Sequence, residues 1–369
     1  MPNQSSQKNE PKIMDTIWQD MRQRDFRKNL RRDYTDLKDF FLDDERRLRL
    51  SKMNRINRGF LMTWWLLKSL FFHLTPVRRI LFLVALVLIV NSRQTFIIGH
   101  NMQTTMDFTM LGALLLLFIL MLELKDKLIA RSELYEGRAI QNALMPESSP
   151  AIKGWDVWLF SKPANDVGGD LVDYQRLNTR HFGLALADVS GKGLGAALFM
   201  VKLQATMRAI APECKTLDAF AHKLNSIFYR DTISSKFASM VYIRLSSTSS
   251  QIQLINAGHF PPMQVKNGAV TELAKGDPAL GLSAKSTYHE IALNFNEIDT
   301  LLVYSDGLSE ARNITGEFFG ERRITELLRQ YKDISSKSLG ERILAAMDQF
   351  VGDAKTTDDL SMIIIRRNG

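Results

Sequence analysis

Four aspartates in the last two-thirds of the chain are the residues best suited to chemistry. Each ends or follows an apolar, strand-like run and lies in its own short phrase: Asp170 in VGGD, Asp188 in DVSGKG, Asp306 in YSDG and Asp358 in DDLS. Carboxylate oxygens without His or Cys select hard cations such as Mg²⁺ and Mn²⁺ over zinc. If the strand ends meet, the sequence predicts a binuclear Mg²⁺ or Mn²⁺ centre.

The glycines beside these aspartates allow tight backbone paths near charged ligands. They are Gly168 and Gly169 before Asp170, and the pair flanking Lys192 in DVSGKG. Taken alone, each glycine pair is more often an ordinary turn, and each aspartate a turn or cap residue. Lys192 is interpreted as a solvated lysine in preference to a phosphate contact. The GKG phrase is not a Walker A loop, because no Ser or Thr follows the lysine.

The elements that must position these residues begin near Trp155, where the pattern changes to short β-rich runs. Helical stretches lie between them, at residues 193–210, 217–229, 322–331 and 339–350. Blocks of strands and helices predict an α+β fold, although periodicity alone indicates only mixed α and β structure.

Taken together, the phrases resemble the metal-dependent protein phosphatases of the PPM (protein phosphatase 2C-like) superfamily, in the bacterial branch of stage II sporulation and sigma-factor-regulating phosphatases. The match runs from about residue 137 to the end and includes AIQNALMP, NAGHFPP and the GL of residues 281–282. The resemblance implies two packed antiparallel sheets flanked by helices. It also implies hydrolysis of phosphoserine or phosphothreonine on a regulatory protein, often an anti-sigma antagonist.

The resemblance further implies a role for each ligand to two Mn²⁺ or Mg²⁺ ions. Asp188 would bridge both ions and the Val189 carbonyl would complete one coordination sphere. The remaining ligands would be Asp170 on one side and Asp306 with Asp358 on the other, and the neighbouring Asp359 would support them without binding an ion directly. Which of Asp358 and Asp359 is the direct ligand is nevertheless left open.

Three other residues are candidates for a chemical role. His259, in NAGH, is interpreted as satisfying local hydrogen bonds in preference to acting in catalysis. Ser190 stands where eukaryotic relatives have His, so the acid for the leaving group is unassigned and a metal-bound water is the default. Cys214 is the only cysteine, which excludes an internal disulfide and favours a reducing compartment.

The net charge of +8 is concentrated in a basic stretch before residue 60. A basic region beside apolar segments favours anionic lipid as its partner. Interleaved acidic residues argue against nucleic acid, because they would repel phosphates. A solvated helix whose charges pair along its own faces is an equally good interpretation.

Two apolar runs, residues 80–90 and 108–122, predict a transmembrane hairpin. The first approaches spanning length only by continuing towards residue 98. Basic residues flank the outer ends, so both ends are expected in the cytoplasm. The alternative is a pair of buried core helices. The aromatic segment 60–74 is expected to be interfacial, with a third span as the alternative, and no signal peptide is predicted.

The predicted organisation is therefore a basic helical region with the interfacial segment (1–75), two transmembrane helices (76–124), a linker helix (125–147) and a phosphatase domain (148–369). The linker helix would pair with its copy in a homodimer or pack on the catalytic domain. The expected location is the inner (cytoplasmic) membrane, multi-pass, with the catalytic domain in the cytoplasm.

The sequence is compatible with three functions. The leading hypothesis is a membrane-anchored, metal-dependent protein phosphatase. The second is a catalytically silent membrane scaffold that keeps the fold for partner binding, and the third is a phosphatase for small molecules or nucleotides on the same fold.

Overall fold

The computed structural model describes residues 53–91, 93–98, 102–146, 148–231, 236–295, 299–354 and 358–368. The basic stretch predicted to bind lipid lies almost entirely outside these residues. The chain divides into two compact units, Met1–Lys127 and Leu128–Gly369.

The first unit contains helices and one β-hairpin. In chain order these are α1 (Arg55–His73), α2 (Pro76–Val90), β1 (Arg93–Ile98), β2 (Met102–Asp107) and the first part of α3 (Thr109–Leu144). Pro76 occupies the first turn of α2, where its missing N–H costs no helical hydrogen bond. The side-chain amide of Asn91 donates to Val87 O at the other end. Helix α2 ends at Val90 and the chain turns into β1 at Arg93, so this helix does not continue towards residue 98.

Helices α2 and α3 run antiparallel and contact each other at two places. Arg78 Nη1 donates to Glu123 Oε1 at 2.7 Å, and its Nη2 donates to Asp126 Oδ2 at 2.6 Å. Further along, a Cβ on Gly112 would come 2.7 Å from Ile89 Cγ1, so this glycine lets the two helices approach closely. The outward positions stay apolar and exposed, among them Ile80, Val87, Val90, Met110, Phe118 and Leu120.

By length and composition, one helical stretch among the described residues is suited to crossing a membrane, Leu194–Glu213. Of this stretch, 44% is buried, and it packs in the core of the second unit. A buried core helix has the same composition as a membrane span. The transmembrane hairpin and the interfacial role of residues 60–74 remain predictions.

The second unit is a sandwich of two five-stranded antiparallel sheets. The first sheet has the order β10-β7-β6-β5-β4 and the second the order β3-β12-β11-β8-β9. The strands of the first sheet are β4 (Asp170–Arg176), β5 (His181–Val189), β6 (Ala238–Ser246), β7 (Gln251–Ala257) and β10 (Ile291–Asn294). Those of the second are β3 (Trp155–Lys162), β8 (Met263–Lys266), β9 (Ala269–Glu272), β11 (Thr300–Tyr304) and β12 (Leu360–Arg367).

Helices cover the outer faces of both sheets. Helices α4 (Leu194–Ile210) and α5 (Leu217–Asp231) pack on the first sheet, joined by a 3₁₀ turn, Ala211–Glu213. The short α6 (Asp306–Ser309), α7 (Gly320–Gln330) and α8 (Ser336–Val351) lie against the second sheet. Ser335 caps α8 by accepting from Ser338 N, which satisfies one of the unpaired amides of its first turn.

The core has three layers, one between the sheets and one under each helical cover. The strands of the middle layer alternate, so that Leu184 and Leu186 face the other sheet while Ala185 and Ala187 face the helices. Both sets are fully buried, which explains the nearly continuous apolar runs in the sequence. The predicted α+β fold with two packed antiparallel sheets is confirmed.

Candidate metal centre

The two sheets bring five aspartates to one edge of the sandwich. Asp170 begins β4 and stands directly opposite Asp188, near the end of β5, in the antiparallel register. In the second sheet, Tyr304 ends β11 opposite Met362 in β12, so the chain leaving β11 and the chain entering β12 lie side by side. These two segments carry the remaining three aspartates. The acidic edge is defined as Asp170, Asp188, Asp306, Asp358 and Asp359.

Asp170 is the most deeply buried carboxylate of the acidic edge, with 4% of its surface exposed. Burial, followed by the charge of Asp188, raises the pKa of Asp170 well above its ordinary value. Its Oδ2 is buried and accepts no hydrogen bond among the described residues. A buried carboxylate oxygen without a donor is costly, and a cation would relieve that cost.

Asp188 and Asp306 have perturbed pKa values for the same reason. Burial, followed by the negative charge of Asp306, raises the pKa of Asp188 to about 7. Burial, followed by the charge of Asp358, raises the pKa of Asp306 to about 6. Like charges gathered at one place disfavour ionisation until a cation neutralises them.

Asp358 and Asp359 are adjacent in sequence but have different surroundings. Asp359 turns inward, where its Oδ1 accepts from Ala164 N at 2.8 Å and its Oδ2 accepts from Gly169 N at 2.6 Å. Asp358 faces outward, and its Oδ2 lies 3.0 Å from Lys192 Nζ. Backbone amides thus engage both oxygens of Asp359, whereas Asp358 holds an exposed lysine.

Gly169 lies against the backbone of β5 at this edge. A Cβ there would come 3.1 Å from Val189 O and 3.6 Å from Asp188 Oδ1. The missing side chain leaves the Val189 carbonyl and the Asp188 carboxylate uncovered. The backbone at Gly169 thus lies close to the backbone of β5, and this tight path is the role predicted for the glycines before Asp170.

These residues fit a pair of hard divalent cations in their chemistry. The donors are all oxygens, one of them is buried without a hydrogen bond, and three carboxylates have raised pKa values. Among the described residues, no three His, Cys, Asp or Glu side chains converge with the spacing of a complete metal site. The structure therefore places all the predicted ligands on one edge without closing a coordination sphere, and their individual roles remain predictions.

A glutamine of the linker helix holds the loop that carries Asp170. Gln141 in α3 is buried; its Nε2 donates to Gly168 O at 2.8 Å, and Gly168 N donates to its Oε1 at 3.1 Å. Farther along, Gln204 Nε2 in α4 donates to Leu144 O at the end of α3 at 2.8 Å. Gln141 lies in the AIQNALMP phrase of the sequence, but no role for it was predicted. In a single sequence nothing distinguishes it from the exposed polar residues around it.

A second missed feature is the buried ion pair behind Asp170. Asp173 is fully buried and receives two hydrogen bonds from Arg208 of α4, at 2.8 and 2.6 Å. This bidentate pair fixes α4 to β4 three residues after Asp170. The only sequence signal is a charged residue inside an apolar strand, which cannot be buried without a partner.

His259 has the structural role preferred from the sequence. Its Nε2 lies 3.1 Å from the Tyr304 carbonyl, which can only accept, so Nε2 carries the proton. Its Nδ1 then accepts from the Ser239 hydroxyl at 2.8 Å. Burial lowers the pKa of His259 to about 4, so the ring is neutral at physiological pH.

The second unit has the fold of PP2C-type phosphatase domains. The structure is similar to the SiaA-PP2C domain of Pseudomonas aeruginosa, with a TM-score of 0.57 and 20% identity over 66% of this chain and 99% of that domain. Because the identity is low, this similarity establishes the fold alone.

The model of the stage II sporulation protein E (SpoIIE) family matches residues 178–368, just over half of the chain, and the chain belongs to this family. The resemblance drawn from the sequence is confirmed. Protein IcfG of Synechocystis is 28% identical over 274 residues, which cover 67% of this chain and 43% of that protein. The phosphoserine phosphatase RsbU of Bacillus subtilis is 24% identical over 64% of this chain and 70% of RsbU. The chain therefore spans less than half of the first of these relatives.

Proposed function

We propose that this protein is a metal-dependent phosphatase that removes phosphate from phosphoserine or phosphothreonine of a regulatory protein. The observation that carries the proposal is the acidic edge, where carboxylates of two sheets meet with raised pKa values. Two Mn²⁺ or Mg²⁺ ions bound there would supply an activated water and neutralise charge on the phosphoryl oxygens. The similarity to RsbU, a phosphoserine phosphatase, supports the substrate class.

The residues of the chain would divide the work as follows. Asp188, whose neighbours come from both sheets, is proposed to contact both ions. Asp170 and the Val189 carbonyl would bind from the first sheet, and Asp306 and Asp358 from the second. Asp359 would hold the Asp170 loop through its hydrogen bonds to backbone amides and would not bind an ion directly.

The test is hydrolysis of p-nitrophenyl phosphate and of a phosphoserine peptide by the full chain in detergent. We expect turnover with Mn²⁺, none with EDTA, and a loss of at least about a hundredfold in Asp188→Asn with its fold retained. The matched control is Asp348→Asn, which makes the same chemical change at an exposed position of α8. Mn²⁺ binding without any turnover in the wild type would favour the silent scaffold instead.

The same protein is proposed to be anchored in the inner (cytoplasmic) membrane through α2 and the first part of α3, with the phosphatase domain in the cytoplasm. The exposed apolar side chains along this helix pair support the proposal, because the pair presents an apolar outer surface that lipid would cover. We expect the full chain to stay in the membrane pellet after alkaline carbonate, and residues 128–369 to remain in the supernatant. Release of the full chain by carbonate would refute the anchor.

The regulatory partner is proposed to be an anti-sigma antagonist, as the family resemblance implies. A dephosphorylation assay against a phosphorylated antagonist domain, with free phosphoserine and nucleoside monophosphates as competitors, separates this from a small-molecule phosphatase. A preference for the small molecules would refute the protein substrate. A homodimer through the linker helix remains a proposal that sedimentation of the full chain in detergent would test.

A further inference from the structure

Lys192 is the one basic side chain in an ion pair with the acidic edge among the described residues. It lies in the loop between β5 and α4, with its Nζ 3.0 Å from Asp358 Oδ2. The contact joins two parts of the chain that are 166 residues apart and belong to different sheets. Such a contact is specific to the folded edge and not a product of neighbouring sequence.

The backbone under Lys192 is fixed, while its side chain is exposed. Gly191 and Gly193 both have positive φ, at 101° and 72°, a conformation that favours glycine. Ser190 N donates to Phe237 O, and Phe237 N donates to Ser190 Oγ, both at 2.9 Å. The Lys192 side chain is 59% exposed. The loop is therefore anchored, and the ammonium group can swing without backbone movement.

The position of the ammonium group also has an electrostatic consequence. The ammonium group lies 3.0 Å from Asp358 and is also attracted by the neighbouring charges of Asp306 and Asp359. Lys192 thus already supplies part of the cationic charge that the acidic edge calls for.

An exposed ion pair of this kind is weak, whereas a divalent cation interacts with the same carboxylate far more strongly. We propose that Lys192 is a displaceable counter-ion: it neutralises Asp358 in the metal-free protein, gives up this carboxylate to a divalent cation, and then contacts the phosphoryl group of the substrate. The inference rests on the proposed function. Lysine suits both tasks because its ammonium group is a compact point charge on a flexible stem, and it binds phosphate in that manner.

The proposal makes opposite predictions for two ligands of a single variant. Lys192→Met keeps the length of the side chain but removes the charge that competes with the cation. We expect Mn²⁺ to bind roughly threefold to tenfold more tightly, as the loss of one exposed competing charge implies. We expect inorganic phosphate to bind the Mn²⁺-loaded variant about tenfold more weakly, because a charge-assisted contact is lost.

Both affinities are measured by titration calorimetry on the full chain in detergent, with Mn²⁺ alone and then with phosphate at saturating Mn²⁺. Lys223→Met is the matched control, because Lys223 also forms an exposed ion pair, at 2.9 Å with Glu213, and makes no contact with the acidic edge. We expect wild-type affinities for this control. Lys192→Arg, which keeps the charge, should retain phosphate affinity to within about threefold.

Unchanged or weaker Mn²⁺ binding in Lys192→Met would overturn the counter-ion role. Unchanged phosphate binding would overturn the phosphoryl contact. If the wild type binds Mn²⁺ and hydrolyses substrate while Lys192→Met lacks both changes, only the lysine proposal fails. If the wild type binds no Mn²⁺ and has no turnover, the proposed function fails as well.

Discussion

The contact of Gln141 with Gly168 predicts that one amide in the linker helix controls the order of the Asp170 loop. The N–H and the C=O of Gly168 each form one buried hydrogen bond, and the side-chain amide of Gln141 is the partner in both. Gln141→Leu replaces the amide with an apolar side chain of similar volume and leaves the Gly168 N–H and C=O without partners. An unpaired buried polar group costs about 1–3 kcal/mol, so two together cost about 2–4 kcal/mol once the loop relaxes.

This cost can be measured as hydrogen exchange. If the loop opens locally, a loss of about 2–4 kcal/mol speeds exchange of the Gly168 and Gly169 amides by roughly 30- to 700-fold, since each 1.4 kcal/mol is a factor of ten. The assay is hydrogen–deuterium exchange of peptides covering residues 165–171 in the full chain. Peptides from β6 and β7, in the middle of the first sheet, should not change.

Two further variants give the prediction its controls. Asn142→Ala alters the next residue of α3, which is exposed, and should leave the loop unchanged. Gln141→Glu can still accept from Gly168 N but cannot donate to Gly168 O, so its effect should be intermediate. Wild-type protection of Gly168 in Gln141→Leu would refute the reasoning, because it would mean that solvent or another group replaces the amide without loss.

Three other predictions follow from the packing and charge of the second unit. Gly340→Ala should lower thermal stability by about 1–3 kcal/mol, since its Cβ would collide with the ring of Trp158; an unchanged melting temperature would contradict this. Arg208→Met should cost about 1–3 kcal/mol in urea unfolding, less than a fully buried pair would, because 42% of the Arg208 side chain is exposed. The cost should exceed that of Asp173→Asn, because only Arg208→Met leaves the buried Asp173 carboxylate without its partner; the reverse order would contradict this. In EDTA, Asp188 should make stability fall as pH rises from about 4 to 7, by at most about 1.4 kcal/mol per pH unit, because the native state binds the extra proton when its pKa is raised to about 7. Since the lowered pKa of His259 acts in the opposite direction, the measured quantity is the difference between the wild-type slope and the slope of Asp188→Asn, and equal slopes would refute the prediction.

Much of the phosphatase domain could be predicted from the sequence because its strands are buried and its turns carry distinctive residues. The phrases around Asp170 and Asp188 place both residues at strand ends, and the register confirms that they are direct partners. The end of α2 could not be placed from the sequence, because apolar residues after Asn91 suit a membrane helix and a strand equally well, and periodicity cannot separate the two. The choice between Asp358 and Asp359 could not be made either, since two adjacent carboxylates differ only in which way the backbone turns them.

The contacts that sequence could not reveal are those made by single polar side chains across long separations. Gln141 reaches Gly168 over 27 positions, and Asp359 reaches Gly169 over 190. The first comes from the linker helix and the second from the second sheet, yet both bind neighbouring peptide groups of the loop that leads into Asp170. Loss of either contact leaves a buried backbone group of this loop without a hydrogen-bond partner, which is unfavourable. Either loss therefore destabilises the same loop.

That arrangement distinguishes Asp170 from the other aspartates of the acidic edge. Asp188 lies within β5, between two neighbouring strands of the first sheet, so the ladder fixes its backbone on both sides. Asp170 begins β4, the edge strand of that sheet, and the loop before it has no ladder of its own. Asp170 is paired with Asp188 on one side only, so its position also depends on the Gln141 amide and the Asp359 carboxylate, which hold the loop before it. A change in α3 that moves Gln141 thus acts on Asp170 first, while Asp188 keeps its backbone support.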